Sequence, residues 1–145
     1  MKLLFALLVL AAPFSIKAFE KKCKNSEGRM MKGTVEELRA VMLKSWDRPQ
    51  VKVTGEITKI QNEDHSGSPH QKFSIKVTND IILMVVTNLE FERIPLVVGK
   101  SITICGEFKK VGQGMVHWTH FDPRGGHADG FSILDGVTYG DQETK

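Results

Sequence analysis

The chain has 145 residues, 41 % of them hydrophobic and 26 % charged, with a formal net charge of +3 at pH 7. That length and apolar content exclude a disordered chain and fit one domain with its own core. The weak positive balance disfavours a protein that grips nucleic acid mainly by neutralising phosphates, which needs a stronger basic bias.

Residues 1–18 read as a targeting segment. Lys2 supplies a positive start, Leu3 to Ala12 an apolar stretch, and Ile16-Lys17-Ala18 a cleavage site ending on a small residue. The apolar stretch is too short for a stable membrane-spanning helix. Cys23 follows Glu20-Lys21-Lys22, so no lipid-attachment motif is present. The expectation is an exported protein, periplasmic or extracellular, with no membrane span and a mature chain starting near Phe19. Residues 1–18 carry Lys2 and Lys17 and no acid, so 18 basic residues remain against 17 acidic ones, a net +1.

Residues 19–33 read as a polar connector. Its basic residues, Lys21, Lys22, Lys24, Arg29 and Lys32, are expected to be a solvated, partly disordered lead-in rather than a binding arm. Cys23 and Cys105 are the only cysteines, and an oxidising compartment allows them to pair. Two separate thiols are the alternative.

Thr34-Val-Glu-Glu37 matches a capping box. Val35, Leu38, Met42 and Trp46 then recur at three- and four-residue spacing, which predicts a helix over 35–46, stopped by Asp47-Arg48-Pro49. Beyond it the period changes to two. Val51, Val53, Gly55 and Ile57 alternate with polar residues, and strands are expected near 51–60, 71–78, 81–86, 101–109 and 115–119. The run Ile81 to Val86 is apolar throughout and suits a strand covered on both faces. Ile133-Leu-Asp-Gly-Val137 carries the Asp-Gly signature of a small terminal hairpin. Gly55 and Gly106 sit mid-strand, where they permit sharp coiling. These elements predict a mainly β fold: a small five-stranded OB-like Greek-key barrel over 34–140, with one N-terminal amphipathic helix and a tail at 141–145. A small β-sandwich is the alternative. If Ile102, Ile104 and Phe108 face inward, Cys105 faces outward, where the lead-in can reach it.

Chemistry concentrates in Val116 to Gly130, which holds three of the five histidines, two aspartates, an arginine and a tryptophan. The remaining histidines, His65 and His70, flank a Ser-Gly-Ser-Pro loop. Imidazole exchanges protons and ligates metals near neutral pH, so two clusters that a fold can unite suggest a site. Three uses are open. In the first, His117 and His70 serve as base and acid, Lys72 and Arg124 stabilise a developing oxyanion, and Asp122 orients an imidazole, as phosphodiester cleavage requires. In the second, His117, His120, Asp122 and His127 bind a divalent metal such as zinc. That needs the last strand to end near Trp118, since an extended chain points His117 and His120 apart. In the third, Gln71, Trp118, His120, Asp122 and His127 bind an oligonucleotide, oligosaccharide or similar polar ligand, with Phe73, Trp118 or Phe121 as stacking platforms. Because no catalytic motif is complete, binding ranks slightly ahead of hydrolysis, and a divalent metal such as zinc stays open as a cofactor. The clusters are expected to share one rim of the barrel, with His65 outside the site.

The residues His70-Gln-Lys-Phe73, Ile94-Pro-Leu96, Val98-Gly-Lys100, Gly106-Glu107 and His117-Trp-Thr-His-x-Asp-Pro123, with His127 and Gly130, resemble a family of small bacterial proteins known as domain-of-unknown-function family 3465. The resemblance covers roughly Val51 to Tyr139 and implies no activity. Members tend to carry histidine where this chain has Phe121 and tryptophan where it has Phe131, so a mechanism needing imidazole at 121 does not carry over. A looser similarity, over Thr34 to Ile60 and Ser101 to Lys109, is to exported bacterial OB-fold stress proteins. It implies the barrel and the compartment.

Overall fold

A computed structural model describes residues 21–44, 48–63 and 65–142. The targeting segment, Trp46 and residues 143–145 lie outside the described residues.

The helix α1 (Val35–Lys44) starts where the capping residues place it. Thr34 Oγ1 accepts the Glu37 N–H at 3.2 Å, and Glu37 reaches back past Thr34 to accept the N–H groups of Lys32 and Gly33. Leu38 is buried, and Val35, Val41 and Met42 pack against the barrel core. An Arg39–Asp80 ion pair of 2.8 Å ties the helix to the turn between the second and third strands.

Seven strands follow: β1 (Gln50–Ile60), β2 (His70–Thr78), β3 (Ile81–Asn88), β4 (Ser101–Lys109), β5 (Met115–His117), β6 (Phe131–Leu134) and β7 (Val137–Tyr139). The first five close into a barrel in the order β1-β2-β3-β5-β4, with β4 returning to β1 and β5 parallel to β3. The fold is therefore mainly β, a closed five-stranded OB-like barrel with one short helix among the described residues. The β6–β7 hairpin extends the sheet from β4. Its turn is the expected Asp-Gly pair, Asp135 and Gly136, both at positive φ (51° and 78°), as a two-residue hairpin turn demands. Among the described residues no helix is long and apolar enough to cross a membrane.

The mid-strand glycines mark the close approaches that closure requires. A Cβ on Gly55 would lie 2.8 Å from the Lys76 carbonyl oxygen, and one on Gly106 would lie 2.6 Å from that of His117. Alternate residues fill the interior, among them Ile57, Phe73, Ile75, Leu83, Val85, Ile104 and Val116. Phe73 is thus core and not a stacking platform. The apolar run in β3 is covered on one face only: Ile81, Leu83 and Val85 are buried, while Ile82 is 40 % exposed. A closed barrel dries only its inner surface, and the described residues cover the outer face of β3 only in part, leaving Met84 and Val86 half-buried.

Over β4 the outer face is covered. Cys105 points outward and is bonded to Cys23 (Cα–Cα 5.7 Å), and Met31 and Phe131 complete a small second core there. Residues 21–33 are accordingly held more closely than a solvated lead-in. The Met31 N–H donates to the Cys23 carbonyl, Lys24 bridges to Met30, and Lys21 pairs with the buried Asp141. Burial of Cys23 and Met31 supplies the apolar contact that the charge count of this stretch conceals.

Candidate functional site

The site is built on the outer face of β4 and β5, beside the disulfide. Register sets its first row. Gln50 on β1 lies opposite Glu107 on β4, and Glu107 lies opposite His117 on β5, so the three side chains share one face. Glu107 is only 4 % exposed. Its Oε1 accepts from His117 Nε2 at 3.1 Å, and its Oε2 lies 3.6 Å from Arg48 Nε. The Gln50 amide donates to the Asp129 carbonyl at 2.9 Å, which ties the row to the following loop.

β5 ends at His117, earlier than the expected 119, because Trp118 turns out of the strand at φ 50°. Positive φ is costly for a bulky side chain, roughly 1–3 kcal/mol, and persists only where the surroundings impose it. Arg48 is also at positive φ (30°), and its guanidinium lies over the Trp118 ring at 4.3 Å. Both partners of one cation–π contact are thus held in an unfavourable backbone region. Lys109 Nζ approaches the same indole at 5.5 Å.

The turn at Trp118 folds 119–130 back across the face. Gly130 N–H donates to the His120 carbonyl and Phe121 N–H to that of Gly140. A side chain at Gly130 is excluded, since a Cβ would lie 2.7 Å from both the Cys105 carbonyl oxygen and Thr119 Cα. Asp122 organises the tip. Its carboxylate accepts the main-chain N–H groups of Arg124, Gly126 and His127, while its own N–H donates to Asp129 Oδ1. Those bonds, that from Arg124 first, hold its pKa below the usual aspartate value.

A ladder of rings results. Phe91 stacks on His120 at 3.9 Å, His120 meets His127 edge-on at 4.9 Å, and His127 stacks on Trp118 at 4.6 Å. His117 adds a tilted contact to Trp118 at 4.5 Å. Carbonyl oxygens only accept hydrogen bonds, which fixes two tautomers. His120 and His127 each give Nδ1–H to a main-chain carbonyl, of Phe121 and Ala128, both at 2.8 Å; Nε2 of neutral His120 is left as an acceptor, while His127 Nε2 lies 3.9 Å from Asp122 Oδ2. His117 gives Nε2–H to Glu107 and keeps Nδ1 free. Burial is the main reason that His117 and His120 both have pKa values below the ordinary histidine value. Glu107 partly offsets the shift in the first, and the Phe121 carbonyl in the second.

Two open grooves flank this arrangement. One, of about 570 Å³, runs between Lys21, Lys22 and Lys24 of the lead-in and the 121–129 loop. The other, of about 350 Å³, is lined by Arg29, Arg48, Gln50 and Glu107. They share Asn25, Ser26, Gly126, His127 and Ala128.

Of the expected site residues, the fold unites His117, Trp118, His120, Asp122 and His127. His70 begins β2 opposite Asn88, and Asn88 lines a small cavity with His120, so both clusters lie at one end of the barrel. His70 nevertheless takes no part in the ring contacts among the described residues. Lys72 lies on β2, with β3 between it and the strand carrying His117. Gln71 is buried, and its amide exchanges two hydrogen bonds with the main chain of Ile94. Arg124 is exposed, contributing its main-chain N–H to Asp122. His65 sits in the loop near Glu63, away from the ladder. Among the described residues no group of three or more His, Cys, Asp or Glu side chains is arranged to hold a metal ion. Sequence reasoning missed Arg48, Gln50, Phe91, Glu107 and Lys109 as parts of the site. Only Glu107 had a usable signal, since it shares the outward parity of Cys105.

The profile of a family described as "Protein of unknown function (DUF3465)" matches residues 30–140, and the chain belongs to that family. No curated protein matches the chain.

Proposed function

For this member of a family whose description assigns no activity, we propose an exported binding protein for a short anionic polar ligand. An oligonucleotide ranks ahead of a neutral oligosaccharide. The observation that carries this reading is the pair of joined grooves with Lys21, Lys22, Lys24, Arg29 and Arg48 along their walls. The same walls carry Glu27, Glu107, Asp122 and Asp129, and Lys21 and Arg48 are paired with Asp141 and Glu107, so the local excess of positive charge is modest and rests on Lys22, Lys24 and Arg29. Phe121 lines the larger groove and offers a face for stacking. Export is supported by the targeting segment and by the disulfide, which persists in oxidising compartments. The test is fluorescence anisotropy with a labelled single-stranded oligonucleotide and with a neutral oligosaccharide, at low and moderate salt. Binding of the oligonucleotide should weaken with salt and fall at least tenfold in a Lys22→Ala/Lys24→Ala/Arg48→Ala variant. No binding at low salt, or equal binding by the variant, refutes the reading.

A second reading, a hydrolase acting on phosphodiesters, is favoured by one observation. His117 is held by a buried carboxylate, keeps a free Nδ1 and has a lowered pKa, which are the properties of a general base at neutral pH. Turnover of an oligonucleotide that is lost in His117→Ala would establish it, and persistence or loss of turnover with chelator, with metal analysis, would decide whether zinc or another divalent ion takes part.

A further inference from the structure

Beneath the ring ladder, three fully buried hydroxyls have no hydrogen-bond partner among the described residues: Thr87 Oγ1, Thr119 Oγ1 and Ser132 Oγ. The three residues are not neighbours in sequence: Thr87 is on β3, Ser132 on β6 and Thr119 in the loop that follows β5. All three line the same small cavity, together with His120, Glu92 and Tyr139. Buried hydroxyls are nearly always bonded, and three orphans around one space have a common explanation. The space is about 10 Å³, which is close to the room that a single water occupies, about 10–15 Å³ on the same kind of measure.

We propose that this cavity is a binding site for one ordered water molecule, held by the hydroxyls of Thr87, Thr119 and Ser132 and hydrogen-bonded to His120. The chemistry matches on both sides. A hydroxyl donates once and accepts twice, so three of them satisfy a water's protons and lone pairs in any combination. His120 has given its Nδ1–H to the Phe121 carbonyl, so its Nε2 can only accept, and water has a proton to offer. The Glu92 carboxylate accepts the Gly140 N–H at 3.1 Å, which closes the main chain over this end of the barrel. Hydroxyls there are explained by a polar guest. The water would join β3 and β6 to the loop at the point where it leaves the barrel, and would hold the His120 ring through Nε2. This site does not depend on the ligand proposed above.

The direct test is a crystal structure of the oxidised protein at about 1.5 Å resolution or better. A solvent peak about 2.7–3.1 Å from at least two of the three hydroxyl oxygens is the expected result. An empty cavity with the hydroxyls turned to main-chain carbonyls would overturn the proposal. So would a peak at the shorter distances of a metal ion, about 2.0–2.4 Å. In solution, a long-lived water should give cross-relaxation to the Thr87 and Thr119 methyl protons. That signal should vanish in Thr119→Val, with Ser132→Ala as a second variant should the first fail to fold. The ¹⁵N shift of His120 Nε2 should move in either variant toward that of an unbonded ring nitrogen. Unchanged cross-relaxation and an unchanged shift in a folded variant would count against the site.

Discussion

Replacing both members of the disulfide, as Cys23→Ala/Cys105→Ala, probes how the lead-in is held. The bond links residues 82 apart in sequence. In the chain-entropy relation, a closed loop of that length restricts the unfolded ensemble by about 4.5 kcal/mol at 25 °C. Native packing adds to this, because Cys23 and Cys105 are both within a small buried cluster with Met31 and Phe131. Against a typical stability of about 5–15 kcal/mol the loss is large. The assay is urea unfolding followed by circular dichroism, on oxidised wild type and the variant. With a slope of roughly 2 kcal/mol per molar urea, the midpoint should fall by about 2 M. Thiol titration of the denatured, unreduced wild type should find no free thiol. A midpoint shift below about 0.5 M, with the bond shown to be present, would refute the argument that this crosslink anchors the lead-in.

Other outcomes follow from the same geometry. Gly130→Ala should destabilise by about 2 kcal/mol or more through overpacking against Thr119 and the Cys105 carbonyl, read as a lowered melting temperature; wild-type stability would contradict the close approach. Burial lowers the pKa of His117 and His120 in the folded state, so the unfolded chain takes up protons first as pH falls below about 6.5. Their contribution is therefore complete above that value and is lost as pH falls through the depressed folded values. Melting temperature should drop between pH 7 and pH 5 and should drop less in a His117→Gln/His120→Gln variant; a flat wild-type profile contradicts the burial argument. Glu107→Gln should cost about 1–3 kcal/mol, because it replaces a charge-assisted bond to His117 with a weaker one in a buried place; urea unfolding measures it. His127→Ala should weaken ligand binding at least tenfold and His65→Ala should leave it unchanged, as measured by anisotropy; equal effects would mean that the grooves are not where the ligand sits.

Much of the fold was legible because β-strand parity is a two-state code. Once Ile102, Ile104 and Phe108 are set inward, Cys105 must face outward, and the disulfide confirms that assignment. Likewise the glycines at 55 and 106 were legible as points of sharp coiling, and the backbone approaches closely at both. What parity does not give is register. Nothing local says that Glu107 stands opposite His117, or that Gln50 stands beside both, so the buried carboxylate of the site stayed hidden. Phe91 was missed for a different reason: it lies in a connector with no periodicity to read. His70 lies outside the ring contacts among the described residues, because proximity to a turn places a residue at a rim without saying which neighbours it meets. The apolar run in β3 misled because continuous hydrophobicity does not reveal whether a second layer exists to cover it.

The ladder also makes the site its own optical probe. Trp118 is one of two tryptophans in the chain, and its indole is in contact with His117 and stacked on His127. An imidazolium against an indole face drains the excited state, whereas neutral imidazole does so far less. Protonation of these rings, or displacement of His127 by a ligand, should therefore register in the emission of Trp118. Replacing Trp46 with phenylalanine would leave that single emitter, and its intensity would follow the charge of the neighbouring histidines without any attached label.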